Sequence, residues 1–346
     1  QDGGSGTVLE HMKAAVERLI EDKGPNGLTK IWFADWNDAL NITTDPEAES
    51  VMLTEQLCLA LKEFSILMNR LGDTGYARWL SDKYNEIRNL LNEKAWDGEW
   101  YVRALSKYET IGSRTSSGSK IYINTQTWAV LAGIPDEEKL SSILKSIDSM
   151  EHDFGYPINH PPYAGYSPHV GRMGGMLPGL FENGGVYCHA TAFKMVMDCK
   201  LGRGDEALKT LHKIMPDSET NPSMRSGAEP YVFTNCYATH PHYYGKSYQS
   251  WTTGTSAWVM MGLYEGIMGL RRDYDGLRII PAFPVNWDRA EATRTFRGTR
   301  YHVAITNKAR RKNPNIRITV DGKEIEGNIL PMFDDDIVHE VEVELY

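Results

Sequence analysis

The sequence has no excess of basic residues. Lys and Arg number 37 against 46 Asp and Glu, a net charge of −9, so the electrostatic footprint of a nucleic-acid binder is missing. No run of about 18 apolar residues offers a membrane span. The opening Gln1–Gly6 lacks the basic and apolar stretches of a signal peptide. Cysteine is scarce: Cys58, Cys188, Cys199 and Cys236 lie far apart, without CxxC or zinc-ribbon spacing, which reads as reduced, mostly buried thiols in a cytoplasmic protein. GxGxxG, Walker A and GxSxG motifs are absent. His240-Pro241-His242 lacks a third ligand and reads as a loop. Asp273-Tyr274-Asp275-Gly276 lacks the calcium-loop spacing and reads as a turn.

What is present is an ordinary globular composition, 41% hydrophobic and 24% charged, over 346 residues. That excludes disorder and suggests two or three domains, or one large domain with an appendage. Aromatics are plentiful, with 18 Tyr, 9 Trp and 9 Phe, and several stand beside carboxylates and glycines, as in sugar-binding surfaces.

Apolar spacing predicts helices in pairs over the first two thirds. Thr7-Val8-Leu9-Glu10 is a capping box opening a helix that ends near Gly24. Asp45-Pro46-Glu47 marks a second start. Leu53, Leu57, Leu61, Phe64, Met68 and Leu71 follow it at spacings of three and four, and Gly72 stops it. Tyr76, Leu80, Tyr84, Ile87 and Leu91 form the partner. Gly98–Ala104 reads as extended and Ser113–Ser119 as a loop. Helices follow at Asn124–Trp128, after Pro135-Asp136, and over Tyr187–Lys200, Gly204–Met215 and Thr253–Leu270. The Gly-, Pro- and Tyr-rich segment 151–186 is too long for a loop without a function. From residue 271 the pattern turns to strands: Leu277–Ile280, Thr293–Phe296, Tyr301–Thr306, Ile316–Val320 and Val338–Leu345, with Asp321-Gly322 as a hairpin turn. The expected fold is mainly α: part of an α/α six-fold toroid over 1–270, then a small β-rich domain over 271–346.

Three clusters carry chemistry. In Asp35-Trp36-Asn37-Asp38, two carboxylates sit among aromatics. Desolvation there raises a carboxyl pKa, which suits a general acid; alternatively one Asp caps a helix starting near Ala39. In Glu182–His189, a Gly-Gly turn leads into a helix with His189 in its first turn, an anion site or a core histidine. Thr252-Thr253-Gly254-Thr255 precedes another helix, again an anion site or a simple N-cap. An acid with two anion sites suggests acid-assisted attack by phosphate.

At these residues the chain resembles glycoside hydrolase family 94, the inverting cellobiose-type phosphorylases. The resemblance covers Asp35–Asn41, Gly171-Arg172 through Pro178-Gly179, Glu182–Gly185 through His189, Glu229-Pro230-Tyr231, Ser250–Thr255, Asp273–Leu277, Trp287 and Phe296-Arg297-Gly298, in family order. It implies Asp38 as general acid, Trp36, Asp35 and Glu182 at the sugar, and His189, Thr253, Gly254 and Asn235 at phosphate. Two positions depart from the pattern. Phe181 stands where cellobiose-acting members often carry a basic residue, and Asn235 replaces a phosphate-side glutamine.

The implied reaction is inverting phosphorolysis of a β-linked glucosyl disaccharide or oligosaccharide, cellobiose- or laminaribiose-like, to α-glucose 1-phosphate. It needs no cofactor or metal, since inorganic phosphate is a substrate, and no nucleic-acid or membrane partner. The resemblance further implies a longer enzyme, a homodimer at full length, of which this chain is the C-terminal part with little activity alone: about eight helices are read where a six-fold toroid needs twelve. Competing readings are an inverting hydrolase with Glu182 as base and a non-catalytic carbohydrate-binding fragment.

Overall fold

A computed structural model describes residues 4–346; Gln1, Asp2 and Gly3 of the opening segment lie outside the described residues. Helix accounts for 36% of the chain and strand for 21%, more strand than a mainly α reading anticipates. Besides the C-terminal strands, strands of two to four residues form small two- and three-stranded sheets inside the helical region. None of the described helices is long and apolar enough to cross a membrane.

By internal contact the chain forms two units, residues 1–187 with 236–248, and 188–235 with 249–346. This division differs from a boundary at residue 271. The helices after residue 187 group with the C-terminal strands because small residues allow close packing there. A Cβ on Gly204 would lie 2.0 Å from the Ala282 carbonyl oxygen, and Asp205 accepts from the Val285 backbone N–H at 2.9 Å.

The first unit opens with α1 (Val8–Glu21), where Thr7 and Glu10 form the expected reciprocal cap. Helix α2 (Val51–Arg70) starts later than Asp45-Pro46 suggests. Asp45 folds its side chain onto the backbone N–H groups of Glu47 and Lys107. Ser50 becomes the N-cap instead, accepting from the Leu53 N–H. The chain turns at Gly72, φ +85°, and Asp73 caps α3 (Thr74–Lys94), giving the expected helical hairpin. Helix α4 (Ile123–Ala132) is buried on nearly every side, which explains its weak amphipathic signal. Helix α5 (Glu137–Asp148) shows the opposite pattern, with only Ile143, Ser146 and Ile147 buried. The one-turn helix α6 (Arg172–Gly175) lies within the long 151–186 segment.

The second unit pairs α7 (Cys188–Lys200) with α8 (Gly204–Ile214), followed by the short α9 (Ser223–Ser226). The helix expected over Thr253–Leu270 is instead α10 (Thr255–Met261) continuing into a π-helical turn, Gly262–Ile267. Glycines let this turn lie on α7: a Cβ on Gly266 would meet the Cys199 Sγ at 2.5 Å, and one on Gly262 the Met195 Cε at 2.9 Å.

After residue 270 come only strands and loops. Five strands form one sheet in the order Arg289–Phe296, Thr299–Asn307, Val338–Leu345, Ile316–Val320, Lys323–Glu324. The central pair is parallel, with Val303 opposite Val341. Asp321-Gly322 makes the expected hairpin between Val320 and Lys323, both residues at positive φ as the tight turn demands. Val341, Val343 and Leu345 bury alternately with Tyr301, Val303 and Ile305. Each full burial of an aliphatic side chain contributes about 1.5–3 kcal/mol. All four cysteines are buried and outside disulfides, as their spacing suggested; burial pushes the Cys199 and Cys236 thiols up to about 12.

Candidate active site

In the first unit, the Asp35–Asp38 segment is a succession of turns rather than a helix start, so neither Asp caps a helix near Ala39. Asp35 Oδ1 accepts from the Asn37 N–H at 2.9 Å, and the Asp35 side chain is fully buried against Arg103. This differs from the sugar-facing position the resemblance implied for Asp35. Asp38, by contrast, has 71% of its side chain exposed. Asn41 pins the segment's exit, donating from Nδ2 to the carbonyls of Asp38 at 2.7 Å and Phe33 at 3.1 Å. Trp36 stands edge-on to Tyr187, ring centroids 5.3 Å apart.

Glu182 is drawn to the same turn. Its Oε2 accepts from Asn37 Nδ2 at 3.0 Å and from the Ala39 N–H at 3.4 Å. Burial pushes its carboxyl up to about 7; Asn37 and the Ala39 N–H pull it back, while the Asp38 carboxyl, within hydrogen-bonding reach, raises it further. Asp38 and Glu182 therefore form a carboxyl pair with one member exposed and one buried. Arg172 Nη2 lies 3.4 Å from Asp38 Oδ1. Arg172 reaches that point because Gly171, at φ +77°, lets the backbone approach Asn41; a Cβ there would lie 2.4 Å from the Asn41 carbonyl oxygen.

The turn carrying Glu182 is itself fixed from several directions. Asn183 bonds both backbone groups of Tyr163. Asn159 Oδ1 accepts from the Gly184 N–H. Gly185 leaves no space for a side chain, with the Phe181 carbonyl oxygen 2.6 Å and the Cys236 Sγ 2.7 Å from where its Cβ would be. Phe181 holds a positive φ and packs on Tyr248, ring centroids 5.1 Å apart.

In the second unit, 64 residues separate His189 from Thr253 in the sequence, yet the structure brings their segments together. A Cβ on Gly254 would lie 2.5 Å from His189 Cε1. His189 is the second residue of α7, its ring against Phe193 and Trp258. Burial pulls the imidazole down to about 4, which favours the neutral ring. Gly254 occupies the N-cap of α10 without a side-chain cap. Thr253 Oγ1 accepts from the Thr255 N–H and pairs with the Thr255 hydroxyl at 2.6 Å. Asn235 donates from Nδ2 to the Thr252 carbonyl at 2.9 Å, which ties it to the same cluster.

Asn37, Arg103 and Arg172 were not singled out from sequence as functional residues. Arg172 lies in a family-like motif that gives it no role. Arg103 appeared only as part of an extended stretch. A hydrophilic residue within that otherwise apolar Tyr101–Leu105 run was the available signal.

Residues 1–269 match the model of the glycosyl hydrolase 94 superfamily catalytic domain. The chain is 40% identical over 350 residues to solabiose phosphorylase of Paenibacillus borealis, covering 99% of this chain and 45% of that protein. It is 33% identical to 3-O-beta-D-glucopyranosyl-beta-D-glucuronide phosphorylase of the same organism, covering 94% and 43%. It thus spans less than half the length of these relatives. Among solved structures, the GH78 family rhamnosidase of Bacillus sp. GL1 shares the fold at a TM-score of 0.56 and 16% identity, covering 87% of this chain and 30% of that one. On the match over residues 1–269, this chain belongs to the glycosyl hydrolase 94 superfamily.

Proposed function

We propose that the protein is an inverting disaccharide phosphorylase with Asp38 as its general acid. The observation that supports this most is the pairing of exposed Asp38 with buried Glu182, on a motif of a chain whose relatives at 40% and 33% identity are named as disaccharide phosphorylases. Protonated Asp38 donates to the glycosidic oxygen as the bond to the anomeric carbon breaks. Phosphate, assigned to His189, Thr253, Gly254 and Asn235, attacks that carbon from the opposite face, giving an α-sugar 1-phosphate. Water needs a base to become a nucleophile, whereas phosphate is already anionic, so one acid suffices. The substrate we assign is a β-linked glucosyl disaccharide, with Trp36 and Glu182 at the sugar. Asp35, buried against Arg103, is assigned to support.

The hydrolase reading finds less support. An inverting hydrolase holds its two carboxyls roughly 6.5–9.5 Å apart so that water fits between acid and base. Here Glu182 is held to the turn by Asn37 Nδ2 and the Ala39 N–H, which occupies the carboxyl that would have to serve as base for water. As part of the phosphorylase reading, we assign the helical region to an α/α toroid and residues 271–346 to a β-rich domain.

The test is cleavage of a disaccharide panel, including solabiose, by the whole protein with and without phosphate. Cleavage that requires phosphate, and falls about 10²–10⁴-fold in Asp38→Asn, is the expected result. Equal cleavage in phosphate-free buffer would establish the hydrolase instead.

A further inference from the structure

Beneath the Asp35–Asp38 turn lies a side chain that no motif assigns. Arg103 is fully buried, entering from the backbone just before strand Ala104–Leu105. Its Nη2 donates to Asp35 Oδ1 at 2.6 Å and to Asn37 Oδ1 at 3.1 Å, and its Nη1 to Ser50 Oγ at 3.4 Å. Ser50 in turn donates to Asp35 Oδ2 at 2.5 Å while capping α2. Asn37, held from below by Arg103, reaches Glu182 through its other amide atom. A continuous chain of contacts therefore runs from the α2 cap through Arg103 and Asn37 to the carboxyl beside Asp38.

The surroundings are built for the guanidinium. Its carbon lies 5.9 Å from the Tyr122 ring centroid. Gly112 leaves the strand open beside it, since a Cβ there would lie 2.9 Å from Arg103 Cβ. Glu55, fully buried on α2, makes no hydrogen bond among the described residues through either carboxyl oxygen, although Arg103 and Asp35 both act on it electrostatically. One cation thus faces two buried acids. Asp35, 2.6 Å from the guanidinium, is its counter-ion, while burial raises the Glu55 carboxyl well above the usual carboxylate range.

We propose that Arg103 is a positioning residue for the catalytic turn: its guanidinium, neutralised by Asp35, fixes Asn37 so that Asp38 and Glu182 keep their mutual geometry. The proposal rests on Asp38 being the general acid. A planar fork donates to several acceptors at once, which the point charge of lysine cannot reproduce. A displacement of about 1 Å at reacting groups costs about 10²-fold in rate. Arg103 therefore acts on kcat, through the placement of Asp38, and leaves substrate binding largely intact.

The experiment compares Asp38→Asn, Arg103→Lys and Asp35→Asn in the whole protein, measuring kcat and both KM values for phosphorolysis together with thermal melting. The expected result is an inactive Asp38→Asn, and an Arg103→Lys that melts cooperatively with kcat lowered about 10²-fold and both KM values nearly unchanged. If Arg103→Lys does not fold, Asp35→Asn decides, with the same loss confined to kcat. Wild-type kcat in folded Arg103→Lys, with Asp38→Asn inactive, overturns the positioning role. So does an Asp35→Asn whose loss falls on the disaccharide KM, since that marks Asp35 as a sugar ligand. An active Asp38→Asn overturns the acid assignment itself, and the positioning role with it.

Discussion

At the scale of single residues, environment divides four similar acids into different tasks. Asp35 is buried as a counter-ion, Glu55 is buried without a hydrogen bond among the described residues, Glu182 is buried beside Asn37, and Asp38 is exposed. The raised Glu182 carboxyl has a measurable consequence for stability. Its unfolded value is 4.5 and its folded value about 7, so the folded state holds the proton more tightly. Relative to pH below 4.5, stability is lost as pH rises through about 7. Melting temperatures of the wild type should thus fall more between pH 5 and pH 8 than those of Glu182→Gln; equal falls would contradict the shift. Gly254→Ala places a methyl group against the His189 ring at a φ of −81° that alanine tolerates. The phosphate KM should rise about tenfold, the worth of one good hydrogen bond, with the disaccharide KM unchanged. A change confined to the disaccharide KM would move His189 out of the phosphate site. Legibility divides in the same way. Asp38, Glu182 and His189 stood in recognisable motifs, whereas the partners of Arg103 are 53 to 68 residues away, a separation that no local pattern reveals.

At the scale of elements, the helices were legible where one face is apolar and a cap is unambiguous. Helix α3 and the end of α2 fall where Leu71-Gly72-Asp73 places them. The start of α2 was less legible because Asp45-Pro46-Glu47 carries a start signal, whereas the cap in the structure is Ser50. The structure settles the competition by giving Asp45 to a turn bonded to Lys107, 62 residues on. The π-helical turn at Gly262–Ile267 was hidden for a related reason, since it depends on the close approach of Met195 and Cys199 from α7. Among the loops, the backbone conformation at Gly171, φ 77° and ψ −144°, is open essentially to glycine alone. Gly171→Ala should therefore cost at least roughly 1–3 kcal/mol of stability, and it should displace Arg172 from Asp38. Chemical denaturation checks the first expectation, and a variant as stable as the wild type would contradict it.

At the scale of the whole molecule, the alternation of short apolar strands after residue 270 was readable, but their order was not. The strand Thr299–Asn307 pairs in parallel with Val338–Leu345, across an intervening hairpin, and periodicity carries no information about such a partner. The grouping of α7, α8 and α10 with these strands was hidden likewise, because it rests on contacts such as Gly204 on Ala282. The most direct measurement of the reaction is NMR of the first sugar product formed when the whole protein acts on a β-linked disaccharide in phosphate buffer. An inverting phosphorylase yields an α-anomeric sugar 1-phosphate in step with the released acceptor. A β-anomeric phosphate, or free sugar in place of the phosphate ester, would contradict it.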